Sequence, residues 1–149
     1  MSLDAKTLSE CLTTGGALHG RGIDAQALKR ESQALKLALF DVDCSRAKSK
    51  SAVLRAIANA VDFPEHFGGN LDALYDCLCD TVLDQDVGMV LALRRIHEDD
   101  PGLAEHAPAI AQVGEDVVEF ARENGKTFAF ILDKADGAAE PAAIAPPAG

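Results

Sequence analysis

Residues Leu35–Asp43 read LKLALFDVD, and residues Ala52–Val61 read AVLRAIANAV. In the first, Leu37, Leu39, Phe40 and Val42 make a nearly continuous apolar run of strand length, the pattern of a strand buried on both faces. In the second, Val53, Leu54, Ile57, Ala58 and Val61 fall at i, i+1, i+4, i+5 and i+8, which puts one apolar stripe along a helix. Two further runs repeat the strand pattern: Val87–Ile96, VGMVLALRRI, and Thr127–Leu132, TFAFIL. Helical patterns lie between them. Asn70 is placed to cap a helix running to about Val82, with Leu71, Leu74 and Leu78 on its core side. Asp99 or Asp100 before Pro101 opens another helical region, with a break at Pro108. Its best-patterned part is Glu115–Glu123, closed by Asn124-Gly125. The order β-α-α-β-α-β predicts an α/β fold with a small three-stranded parallel sheet packed with helices.

Outward from this centre the patterns weaken. Residues 1–35 read as an N-terminal helical extension. Ser2–Leu12 suits a short helix ended by Gly15-Gly16, and Asp24 is placed to cap a second helix through Leu35. Ala17–Gly22 between them is a loop or a short edge strand. Residues 135–149 are rich in Ala and Pro without periodicity and read as a disordered tail. The chain thus divides into 1–35, a principal domain over 36–134, and the tail 135–149.

The 149 residues suffice for a core without disulfide staples. No apolar run is long enough to span a membrane, and MSLDAKTLSE lacks the basic-then-apolar pattern of a secretory leader. A cytoplasmic protein is expected, with Cys11, Cys44, Cys77 and Cys79 as reduced thiols. Cys77 and Cys79 are two apart, a spacing that points them to different faces of a helix, so no metal site and no cofactor is read from them. The formal net charge is −10. Direct nucleic-acid binding needs Lys and Arg to meet phosphates, so a basic partner is the better match. The acid is also concentrated. Between Arg55 and Arg94 there is no basic residue, while seven acidic ones occur. A solvated helix face usually mixes signs, because opposite charges at helical spacing support each other.

The densest part of that stretch is Phe63–Asp80, FPEHFGGNLDALYDCLCD. Asp72, Asp76 and Asp80 stand at i, i+4 and i+8 and form one acidic stripe. Like charges at that spacing cost about 0.2–0.5 kcal/mol per pair. The helix dipole offsets this for Asp72, near the N-terminus, and not for Asp80. Tyr75, the single Tyr in a chain without Trp, lies between the stripe and the core side. An aromatic anchor among oriented charges is the composition of a binding surface. The bland alternative is a boundary core residue beside solvated carboxylates.

The run from Pro64 through Gly68, Gly69, Asn70, Leu71, Asp72, Ala73, Leu74, Tyr75, Asp76 and Cys77 to Leu78 resembles the signature of the barstar family, intracellular inhibitors of barnase-type ribonucleases. The likeness extends over roughly Leu37–Leu132. It implies that the helix after Asn70 and the loop before it plug a ribonuclease active site. By that likeness, Asp76 would enter the phosphate site and Asp72 would pair with another basic group. Tyr75, where the family usually carries Trp, would pack on the partner's rim. His66 stands where the family has Tyr over the enzyme's catalytic His, and Gly68 and Asn70 match the contacting loop. Ala73 and Asp80 complete the implied binding face. A family glutamate on the last helix falls at Phe120, with Glu119 and Glu123 nearby, and is not assigned to any residue here.

The implied function is an immunity protein that masks a basic ribonuclease. An alternative is a barstar-like interaction module binding some other basic partner without ribonuclease inhibition. An enzyme is not expected. Asp72, Asp76 and His66 lack a nucleophile motif, a phosphate-cradling Gly loop or metal spacing around them.

Overall fold

The computed structural model describes residues 5–21, 24–63, 70–97 and 100–134. In chain order the elements are α1 (Ala5–Thr14), β1 (Gly16–Arg21), α2 (Ala25–Ala34), β2 (Ala38–Asp43), α3 (Lys50–Val61), α4 (Leu71–Asp84), β3 (Gly88–Ile96), α5 (Pro101–Ala104), α6 (Ala107–Glu123) and β4 (Thr127–Lys134). The expected α/β class holds, with a parallel sheet and helices, but the sheet has four strands in the order β1-β4-β3-β2 rather than three. The added strand is β1, GALHGR, which pairs with β4 from Gly16 opposite Ala129 to Arg21 opposite Lys134. It carries no apolar run, and none of Ala17, Leu18 and His19 is fully buried at this edge of the sheet. The turn into it from α1 passes through Gly15 at φ +77, where a Cβ would lie 3.0 Å from the carbonyl oxygen of Phe128. The expected tail over 135–149 lies outside the described residues.

A second correction concerns β2. The LKLALF run suggested burial on both faces, yet β2 is the opposite edge of the sheet, and of its six residues only Val42 is buried. Asp41 and Asp43 point the other way from Val42, consistent with the two-residue period of a strand. Each meets an arginine of β3: Asp41 pairs with Arg94 and Asp43 with Arg95, both at 3.1 Å. The strands buried on both faces are β3 and β4, where Met89–Leu93 and Phe128–Asp133 are covered throughout.

Alternation along β3 and β4 divides the core into two. Met89, Leu91, Leu93, Phe128, Phe130 and Leu132 face the larger cluster, built with α3, α4 and α6. Val90, Ala92, Ala129 and Ile131 face the other side, where Leu12 of α1 and Ala27 and Leu28 of α2 cover them. Helices α1 and α2 therefore supply the second layer of the sandwich. No described helix is long and apolar enough to cross a membrane.

The helix boundaries follow local chemistry. Asp24 caps α2 through Gln26 N–H, and Ser49 caps α3 through Ala52 N–H. Asp62 ends α3 in the left-handed region at φ 65. Pro108 lies in the first turn of α6, where its missing N–H costs nothing, so the helix begins there and continues through the expected 115–123 segment. Gly114 lets α6 settle on β4, since a Cβ at that position would run into the ring of Phe130.

Candidate functional site

The acidic helix starts at a well-made cap. The Asn70 side chain accepts from Ala73 N–H at 2.7 Å, and its carbonyl accepts from Leu74 N–H. That fixes the phase of α4. Leu74 and Leu78 go under, each 1% exposed, with Cys79 and Val82. Asp72, Asp76 and Asp80 are exposed. Leu71, expected on the core side, is only half-buried, and so are Ala73 and Tyr75. His66 and Gly68 lie outside the described residues.

Helix α6 packs beside α4 and brings its own acids. Asp116, Glu119, Phe120 and Glu123 stand at i, i+3, i+4 and i+7, one face of the helix. Between the two helices lies an open cleft of about 630 Å³. Its floor is Leu71, Tyr75, Val113 and Phe120. Its rim is Asp72 and Asp76 on one side and Asp116, Glu119 and Glu123 on the other. Among the described residues, no Lys or Arg lines it. The rings of Tyr75 and Phe120 meet in a T across the floor.

The arrangement therefore gathers Asp72, Tyr75 and Asp76 as the spacing on α4 suggested. Asp80, one turn further, does not line the cleft. The α6 wall is larger than the sequence reading allowed. The sequence pattern assigns no role to Asp116, Glu119, Phe120 or Glu123, and the structure brings all four to the cleft. Their helical spacing was a signal, but which helix face turns toward α4 is set by tertiary packing.

Electrostatics fit a site that receives cations. Among the described residues, none of the five rim carboxylates is in an ion pair, and Asp116 only accepts a hydrogen bond from the Gln112 amide at 3.0 Å. The Tyr75 hydroxyl is pushed above its ordinary range by its interaction with the Cys79 thiol, then by burial and by the carboxylates of Asp116 and Glu123. It stays a neutral donor. Burial raises the Cys77 thiol, and Asp80 and Asp76 raise it further; burial likewise raises Cys79. Both thiols are held away from the thiolate form a nucleophile needs. Among the described residues, no three of His, Cys, Asp or Glu come together to hold a metal ion.

Five carboxylates around an aromatic floor can accept hydrogen bonds from guanidinium and ammonium groups, and can stack a planar cation on a ring. No curated protein matches the chain. A family model described as Barstar (barnase inhibitor) matches residues 37–133, a span that takes in both walls of the cleft. The chain belongs to the barstar family.

Proposed function

We propose that the chain is an inhibitor of a small basic ribonuclease of the barnase type, acting inside the cell as an immunity protein. The acidic cleft between α4 and α6, with the loop before α4, covers the enzyme's active site. Asp76 takes the place of an RNA phosphate, Asp72 pairs with a neighbouring cation, and Tyr75 packs on the rim. Asn70 holds the start of α4 in register for this contact, Ala73 lies beside it, and Asp80, one turn beyond the cleft, adds long-range negative charge.

The observation that carries the reading is the unpaired acidic rim around Tyr75, on the two helices that fall within the family match. Rim carboxylates without a cation beside them among the described residues are an electrostatic cost in the free protein, and a cationic partner removes it. A ribonuclease active site must itself be cationic to bind RNA. The same surface therefore complements it in sign and repels nucleic acid.

The test is inhibition of RNA cleavage by a barnase-type ribonuclease, with the affinity of the complex measured alongside. Stoichiometric inhibition lost in Asp76→Ala is expected. Absence of any complex would overturn the proposal. A complex that forms while RNA is still cleaved would transfer the reading to a non-inhibitory interaction module.

A further inference from the structure

A second, smaller concavity of about 390 Å³ lies on the far side of α6. Its floor is Gly16 and Ala17 at the start of β1 with Val118 of α6, and Gln112, Glu115 and Arg122 stand around it. It shares Asp116 and Glu119 with the acidic cleft. The two hollows are therefore neighbours across one ridge of carboxylates. Gly16 and Ala17 lie outside the matched span 37–133, in the N-terminal segment.

We infer that the binding surface does not stop at α6: the basic partner seated in the α4–α6 cleft also covers the hollow between α6 and β1, so that Gly16 and Ala17 of β1 contribute to recognition. This rests on the function proposed above. Three observations support it. A body that engages Asp116 and Glu119 from one side meets the other hollow at once. Nine described residues line the acidic cleft, and with the loop before α4, Asn70 and Ala73 the face still falls short of the roughly 20–30 residues a side of a standard interface; the second hollow adds six described residues. Its charge also suits a basic partner: among the described residues that line it, Glu115, Asp116 and Glu119 stand against one base, Arg122. Arg122 reaches over β1, its guanidinium 4.0 Å from where a Cβ on Gly16 would sit. Gly16, at φ +128, leaves that approach open.

The inference makes two variants move in opposite directions. Glu115→Lys places a cation under a basic partner and is expected to speed dissociation at least several-fold. Arg122→Glu reverses the charge of the one base among the hollow's described lining residues and is expected to slow dissociation. Glu31→Lys, on α2 across the sheet, changes net charge as much as Glu115→Lys and serves as the control. Long-range charge alone alters association, whereas contact alters dissociation. Dissociation rates are measured for a complex with the barnase-type ribonuclease, beside Asp76→Ala. If Asp76→Ala weakens the complex while Glu115→Lys matches Glu31→Lys and Arg122→Glu matches the parent, the partner stops at α6 and this inference fails alone. If Asp76→Ala has no effect, the cleft is not the binding site, and both readings fail together.

Discussion

Phe120 on α6 meets Tyr75 on α4 edge-on, with ring centroids 6.5 Å apart and ring planes inclined at 75°. Aromatic quadrupoles favour this geometry over a flat sandwich. Both rings are half-buried and pack against the main core cluster. They join the two helices at the level of the cleft floor and leave the acidic rims apart on either side. The pair adds to the buried contacts of Leu74, Leu78, Val113 and Val117 in the core that holds the two helices together against their like charges.

Truncating Phe120 to Ala tests that contact. A fully buried Phe→Ala change costs about 3–5 kcal/mol, so the half-buried Phe120 should cost about 2 kcal/mol. A double-mutant cycle with Tyr75→Ala should return a coupling of about 0.5–1.5 kcal/mol from urea unfolding. A coupling near zero would mean that the rings are neighbours without being partners.

What the sequence made legible, and what it did not, follows from where each signal resides. The strands β3 and β4, the stripe of α3 and the Asn70 cap are local patterns, and each is where its residues placed it. Strand β1 was legible only as one of two alternatives, a loop or a short edge strand over Ala17–Gly22, since its Gly-rich GALHGR becomes a strand only because β4 offers an open ladder edge. The run before Asp43 reads like an interior strand, yet β2 lies at an edge, a fact decided by the crossover from β1 and not by composition. In the site, Asp72, Tyr75 and Asp76 share one helix and could be read from spacing. The acids of α6 could not be added to them, because the angle at which one helix turns toward another is stored in contacts such as Tyr75–Phe120.

The N-terminal segment should be indispensable to the fold. Leu28 is 1% exposed and packs with Leu12 over Val90, Ala92, Ala129 and Ile131. Leu28→Ala is expected to cost about 2–5 kcal/mol. A chain beginning at residue 36 would bare that sheet face, and should bind a hydrophobic dye and lose cooperative unfolding. A truncated chain that unfolds as sharply as the parent would show that the second layer is dispensable.

Alkaline pH should weaken the fold through Cys44. Burial, with Asp43 and Asp41 close by, pushes its thiol up to about 12 from an ordinary 9.0. The folded chain thus holds the proton more tightly than the unfolded one. The contribution is complete below about 9, where both states are protonated, and is lost as pH rises from there toward about 12. Urea midpoints measured from pH ~8 to ~10.5 should fall in the parent and fall less in Cys44→Ala. The slope should not vanish, because burial also raises Cys11, Cys77 and Cys79. Equal slopes in parent and variant would remove Cys44 from this account.

The three aspartates of α4 should separate when stability and binding are measured together. Asp72 lies in the first turn, where the helix dipole favours a carboxylate, so Asp72→Ala should lose about 0.3–1 kcal/mol of stability. Asp80 stands four residues from both Asp76 and Asp84 with no dipole to help it. Asp80→Ala should therefore gain about 0.2–0.5 kcal/mol per relieved repulsion. Binding should rank differently. Asp76 and Asp72 line the cleft and Asp80 does not. Against a barnase-type ribonuclease, Asp76→Ala should cost about 2 kcal/mol or more, the level of an interface hot spot, and Asp72→Ala somewhat less. Asp80→Ala should leave dissociation unchanged and only slow association at low salt, an effect that fades as the Debye length falls from about 10 Å at 0.1 M to about 3 Å at 1 M. If Asp80→Ala accelerates dissociation as much as Asp76→Ala does, the partner lies along the whole stripe and not in the cleft.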